Sequence, residues 1–286
     1  MGSNLVLYLK KLHLYDVYSA YYKHGYLSPF DIYLDITNYC SVLDTLTQIK
    51  PEVVIHAAAI TNSNYCATHK ELAWNVNVLG TQNIVKAIFE VGSRLIFIST
   101  DQVYSGYKPF SKEYDDPSPI CFYGNTKLEA ERIVALGCYN YCIARTSLIY
   151  GVSNTCQKSF FDVFVDNLIN NRPTRLFYDE YRSPIFLDNY CEIILELISR
   201  SDVRGLYNIS GDERVSRYEL GWHVASSLTK DKALLIPVSI NDYKFEDGRP
   251  QDCSMCNREI TKILCRTLVG IQEASAIIKC QIAQAA

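Results

Sequence analysis

The chain has 286 residues, a formal net charge of -3, and 48% hydrophobic against 21% charged side chains. That composition suits one large globular domain, or a domain with a smaller lobe, and excludes a collagenous, disordered or strongly basic nucleic-acid-binding protein. No apolar run reaches membrane-spanning length and no basic-then-apolar leader opens the chain, so the expected setting is cytoplasmic, with neither nucleic acid nor membrane as partner.

The chain opens on a helix: Leu5, Val6, Leu9 and Leu12 fall at helical spacing behind Gly2. "DVYSAYY" (16–22) and "FDIYLD" (30–35) read as strands, and "NYCSVLDTLTQI" as an amphipathic helix with Asn38 as its N-cap. "EVVIHAA" (52–58) is a short β-branched run of the kind buried on both faces of a parallel sheet. One long helix is predicted over 69–91, then a strand "RLIFIST" (94–100), a helix "YGNTKLEAERIVAL" (123–136) and a strand "NYCIART" (140–146). After Gly151 the spacing loosens, with helices near 159–169, 188–199 and 216–228 and a strand near 174–178. The alternation argues for an α/β, doubly wound parallel sheet followed by a smaller α/β lobe that packs on it. The 11 cysteines are odd in number and scattered, which fits reduced thiols. Cys253 and Cys256 have CxxC spacing with Cys265 nearby, but no second pair completes a zinc knuckle, and no metal is expected.

Ligands of such sheets sit beyond the carboxyl ends of the strands, which puts His56, Thr100, Asp101 and the loop after Arg145 on one rim. Tyr123 and Lys127 follow at i and i+4, on one face of one helix. An ammonium near a phenol favours the phenolate and lowers its pKa, so that the phenol can exchange a proton with a carbonyl or alcohol near neutral pH. Thr100 can hold the same oxygen. A Tyr-x-x-x-Lys pair alone is a common surface pairing; behind "STD" at the end of a buried strand it is far more specific.

These residues are where a family resemblance becomes visible. The chain resembles the extended short-chain dehydrogenases/reductases, and among them is most similar to the dTDP-4-dehydrorhamnose reductases. The segments that carry this are "LDIT" (34–37), "KPEVVIHAAAIT" (50–61), "LAWNVNVLGTQNI" (72–84), "FISTDQVYSG" (97–106), "YGNTKLEAE" (123–131) and "ARTSLIYG" (144–151), with "GLYNISG" (205–211) and "GRPQDCSM" (248–255) later. The resemblance implies a Rossmann-like dinucleotide-binding domain over 1–150, incomplete at its N-terminus, and a substrate-binding lobe over 151–286 with segments crossing back to the sheet. It implies Thr100, Tyr123 and Lys127 as catalytic, with Tyr123 the general acid. Gly2, Asp35, Ile36, Ala57, Ala58, Ala59, Asn77, Ser99, Tyr123 and Lys127 would hold the cofactor, and Asp101 and Arg249 the substrate. Asn77 reads equally well as a satisfied buried amide, and Arg249 nearly as well as a solvated loop residue. Dimers are common among such proteins, so a homodimer is an expectation too.

In this register Gly2 takes the place of the third glycine of a G-x-x-G-x-x-G loop. The leading expectation is then a natural chain that continues upstream of Met1, with the first strand, which belongs in the middle of the sheet, and two more glycines; the alternatives are a gene that truly lacks them and binds the cofactor poorly, or an artificially trimmed N-terminus. No acid closes the strand that ends in Tyr21 and Tyr22, and Lys23 and His24 follow it, which favours NADP over NAD. The leading functional expectation is NAD(P)H-dependent reduction of a 4-keto nucleotide-sugar, with dTDP-4-dehydro-L-rhamnose as the leading substrate. A nucleotide-sugar epimerase or dehydratase is the alternative within the same superfamily; Gln102 stands where a dehydratase more often has a second acid. A different class is a non-catalytic regulatory subunit resembling the β subunit of methionine adenosyltransferase, in which the Tyr and Lys pair is also kept.

Overall fold

The computed structural model describes residues 1–22, 31–153 and 158–285. Helix α1 (Gly2–Leu12) buries Leu5 and Leu9, one turn apart, and ends at His13 in the left-handed conformation. Strands β1 (Ser19–Tyr21) and β2 (Asp31–Tyr33) form a parallel pair. In α2 (Tyr39–Ile49) the Asn38 side chain accepts from the Ser41 amide, the predicted cap. Strand β3 is Val53–His56.

The helix predicted over 69–91 is broken. It consists of α4 (Lys70–Trp74), a π-helical turn (Asn75–Leu79) and α5 (Gly80–Val91), and a further short helix, α3 (Ser63–Thr68), precedes it. The extra residue of the π turn has a tertiary cause. It turns Asn77 inward, where its Oδ1 accepts from Ile60 N at 2.8 Å and its Nδ2 donates to Ile60 O and to Thr126 Oγ1, both at 3.0 Å.

Strand β4 (Arg94–Thr100) is buried along its whole length. Helix α6 (Phe122–Gly137) and strand β5 (Tyr141–Thr146) follow. Next come β6 (Ile149–Tyr150), α7 (Phe160–Ile169), β7 (Thr174–Phe177), β8 (Tyr181–Arg182), β9 (Ile185–Phe186), α8 (Leu187–Ser199), β10 (Gly205–Ile209), β11 (Val215–Ser216), α9 (Arg217–Ser227), β12 (Leu235–Val238), α10 (Arg258–Ile263) and α11 (Ile271–Ala285).

The central sheet is parallel, in the order β10-β5-β4-β3. Alternation along β4 feeds two cores. Ile96 and Ile98 pack with Leu5 and Leu9 of α1 and with α8, while Leu95 and Phe97 pack with α2, α5 and α6. Apolar side chains on both faces are what a doubly wound sheet requires. The fourth strand, β10, comes from late in the chain, as does α10, which joins the same core through Ile260. Across the sheet runs a buried ion pair: Arg145 Nη2 of β5 lies 2.7 Å from Glu131 Oε2 of α6. Ser99 also donates to Glu131, and the Tyr104 hydroxyl links Arg145 to Asn208 of β10.

Strands β1 and β2 stand apart from this sheet: among the described residues no hydrogen-bond ladder joins them to β3. Val53, Val54 and Ile55 of β3 are accordingly half-buried, whereas β4 is sealed. Tyr8 and Val17, like Val53 and Ile55, pack against the core that Leu5 and Leu9 of α1 enter.

A second core is built by α7, α9 and α11 around the parallel pair β7 and β12, with Phe161, Phe164, Leu176, Leu220, Val224 and Ile278 at its centre. Ser159 and Ser216 start α7 and α9 with reciprocal capping boxes to Asp162 and Glu219. Among the described residues no helix is long and apolar enough to cross a membrane.

Candidate active site

Three segments meet at the carboxyl ends of β4 and β5. Strand β4 delivers Ser99 and Thr100, and the turn Asp101–Val103 follows at once. The Thr100 hydroxyl accepts from Gln102 N at 3.2 Å and donates to Asp101 Oδ1 at 3.1 Å. Helix α6 is pressed onto this turn through Gly124, where a Cβ would lie 2.2 Å from the Gln102 carbonyl oxygen. That contact sets Tyr123 beside Thr100. The start of α6 is held by the Cys121 thiol, which accepts from Gly124 N at 3.3 Å, and by the Asp247 carboxylate, which accepts from Phe122 N. Asp247 therefore fastens the loop carrying Gly248 and Arg249 to the helix carrying Tyr123.

A cavity of about 320 Å³ opens between these elements. Of the residues predicted from sequence, Ser99, Thr100, Asp101, Tyr123 and Arg249 line it. Thr146 and Ser147, in the segment after Arg145 that the sequence placed on the rim, line it as well, and so do Arg182, Arg217 and Asp247, which sequence reasoning did not single out.

The remaining predicted residues lie off its wall. Met1, not Gly2, lines the cavity, and α1 begins there with no side chain capping its first amides. A Cβ on Gly2 would lie 3.7 Å from that of Ala57, an ordinary van der Waals distance; Ala58 is exposed and Ala59 half-buried. Asp35 Oδ1 accepts from the backbone and hydroxyl of its neighbour Thr37, and Ile36 packs over Gly80. The hydrogen bonds of Asn77 are all to protein groups, fixing the segment after β3 to α6. Lys23 and His24 lie outside the described residues.

Electrostatics depart from expectation at the Tyr and Lys pair. Burial pushes the Tyr123 phenol well above its usual range; the Thr100 hydroxyl opposes this and Asp101 reinforces it. The Lys127 ammonium instead lies 3.9 Å from the centre of the Phe97 ring. It has no hydrogen-bond acceptor among the described residues, and burial lowers its pKa to about 7, against a smaller upward pull from Glu131. Spacing of i and i+4 puts two residues on one helix face, but it does not decide where a long flexible side chain ends. His56 is also buried and is held neutral: burial first, then Lys127, lower its pKa to about 3. Its Nε2 lies 3.0 Å from Thr81 Oγ1. Burial raises the Asp101 carboxyl, while Arg182, whose Nε lies 3.2 Å away, pulls it back down.

These features bear on the nicotinamide dinucleotide that the resemblance implies. A Lys127 ammonium with no protein acceptor among the described residues, first amides of α1 without a side-chain cap at the cavity edge, and the small residues Gly2 and Ala57 near them suit a ribose diol and a pyrophosphate. The residues present fit the group.

The family model described as "RmlD substrate binding domain" matches residues 11–277. A dTDP-4-dehydrorhamnose reductase of Aggregatibacter actinomycetemcomitans is 29% identical over 252 residues, 84% of this chain and 82% of that protein. The methionine adenosyltransferase 2 subunit beta of Xenopus tropicalis is 27% identical over 212 residues, 72% of this chain. The chain spans 64% of the length of that protein, and 63% of the length of its Xenopus laevis counterpart. Among solved structures, a dTDP-4-dehydrorhamnose reductase of Bacillus anthracis in complex with NADP superposes with a TM-score of 0.80 at 26% identity, covering 89% of this chain and 92% of that one.

Proposed function

Because this chain belongs to the RmlD substrate-binding family, we propose that it is an NAD(P)H-dependent oxidoreductase that reduces a 4-keto nucleotide-sugar. The observation that carries the reading is the convergence of Tyr123, Thr100 and Asp101 with Arg249 and Arg217 on one cavity. One wall offers a phenol and a hydroxyl, suited to a carbonyl oxygen. The other offers guanidiniums, suited to a diphosphate.

A bound nicotinamide would supply the hydride to the sugar carbonyl carbon. Lys127 would hold its ribose, and the first amides of α1 its pyrophosphate. The chain's own part is the proton. Tyr123 keeps its proton at neutral pH, because burial raises the phenol. It can therefore give that proton to the developing alkoxide as a general acid. Thr100 donates to Asp101 and keeps its own oxygen beside the phenol. The high phenol suits the reducing direction, where the resting group must be the acid. dTDP-4-dehydro-L-rhamnose is the substrate we propose to test first, and NADPH the first reductant.

The test is oxidation of NADPH by the purified chain with a dTDP-4-keto-6-deoxysugar. Tyr123→Phe should lower the rate by about a hundredfold or more while leaving NADPH binding intact. A rate unchanged in that variant would remove Tyr123 as the acid. Resemblance to the adenosyltransferase subunits favours a second reading, a regulatory subunit. NADPH binding without turnover, together with stable association with a methionine adenosyltransferase catalytic subunit, would select it.

A further inference from the structure

The short link between β7 and β8 carries Glu180, whose side chain is fully buried. Three guanidiniums converge on its carboxylate. Arg182 Nη2 lies 3.1 Å and Arg249 Nη2 2.8 Å from Oε1, and Arg217 donates through Nε to Oε2. Arg249 also donates to Oε1 through Nε, at 3.0 Å. The three are not equivalent. Arg182 is consumed by protein: its Nε faces Asp101 and its Nη1 donates to the Tyr181 and Pro250 carbonyls. Arg217 and Arg249 are tethered along one edge only. Arg217 lies over the Phe160 ring at 4.6 Å, and Arg249 lies 4.8 Å from the Phe245 ring centre and 5.4 Å from that of Phe177. Both line the cavity. Among the described residues, both terminal nitrogens of Arg217 and Nη1 of Arg249 have no acceptor.

We infer that Glu180 is a positioning residue: by holding Arg217 and Arg249 along their inner edges, it aligns their free edges on the cavity wall as a clamp for a diphosphate. Arg217 opens α9 and Arg249 sits in the loop after Phe245, and the Glu180 carboxylate is the ionic contact they share. Two fixed guanidinium forks side by side match two adjacent phosphates, each bond being charge-assisted. Without the carboxylate, like charges would splay. Burial would raise the Glu180 carboxyl, but Arg217, Arg182 and Arg249 outweigh it and hold the group at about 2, so it stays charged throughout the working range. The inference rests on the nucleotide-sugar reading and names the group that holds the diphosphate.

Glu180→Asp keeps the charge and withdraws the carboxylate by one methylene, so a loss in that variant is positional. Inorganic pyrophosphate and dTDP are titrated calorimetrically into the full chain. Arg217→Ala should weaken both by at least about tenfold, Glu180→Asp by a similar factor, and Arg217→Ala made in the Glu180→Asp background should add less than about twofold. Unchanged NADPH binding and melting temperature would keep the loss local. Should Glu180→Asp not fold, Glu180→Gln keeps the length and removes the charge that tethers the two arginines, and the same non-additivity with Arg217→Ala is expected. Wild-type affinity in the Glu180 variant, or a full Arg217→Ala loss in its background, would overturn the positioning role while the nucleotide-sugar reading stands. Failure of the wild-type chain to bind either probe would overturn both.

Discussion

Lys127 is the residue at which stability and function pull hardest against each other. Its side chain is 2% exposed, it has no hydrogen-bond acceptor among the described residues, and it has a pKa of about 7 against 10.5 when free. A tenfold loss of proton affinity corresponds to about 1.4 kcal/mol, so at pH 7 the buried amine costs the fold on the order of 4 kcal/mol. The sign follows from proton counting. The unfolded lysine keeps its proton up to about pH 10.5, and the folded one releases it near 7. Between those values the unfolded state binds more protons, so stability rises with pH; below about 7 it is at its lowest. From pH 7 to pH 9 the gain should be about 2 kcal/mol. Lys127→Met fills the same space without the charge and should raise stability at pH 7 by up to about 4 kcal/mol. It should also flatten the pH 7 to 9 rise and abolish NADPH binding. Urea unfolding at pH 7, 8 and 9 for both proteins measures all but the last, and fluorescence titration measures that. A destabilised Lys127→Met, or a pH slope that survives the substitution, would refute the account of the buried ammonium.

Three further outcomes follow from the geometry. His56, held neutral down to about pH 3 by burial and by Lys127, is protonated only on unfolding below about pH 6.5, so stability should fall by up to about 4 kcal/mol as pH drops through that window; a pH series of thermal melts on His56→Asn should lose most of that fall. Gly124→Ala places a methyl 2.2 Å from the Gln102 carbonyl; despite the roughly 1 kcal/mol helix preference for alanine, a net loss of about 1–3 kcal/mol is expected, with slower turnover as Tyr123 shifts from Thr100, read by melting and initial rates. Glu131→Ala leaves Arg145 buried without its carboxylate and should cost about 3–5 kcal/mol in chemical denaturation.

Local chemistry along the chain settled much of this protein. Runs such as "RLIFIST" can satisfy their backbone only inside a sheet covered on both faces, and β4 occupies the predicted 94–100. Helix starts at Asn38, Ser159 and Ser216 follow from side chains that reach backbone amides within one turn, an interaction wholly local to the chain. Thr100 and Asp101 were legible because a strand end at the ligand rim is itself a local signal. What the tertiary structure decided is everything that depends on segments far apart. The π turn inside 69–91 exists because Asn77 answers Ile60 and Thr126, which no helical periodicity encodes. Lys127 shares a helix face with Tyr123, yet Phe97 from β4 determines where its ammonium rests. Glu180, Arg182 and Arg217 carry no motif, since a charge in a turn usually faces water. They became site residues because the second core folds β7, β8 and α9 against the loop of Arg249. Only there does one buried carboxylate find three cations and make its own burial favourable.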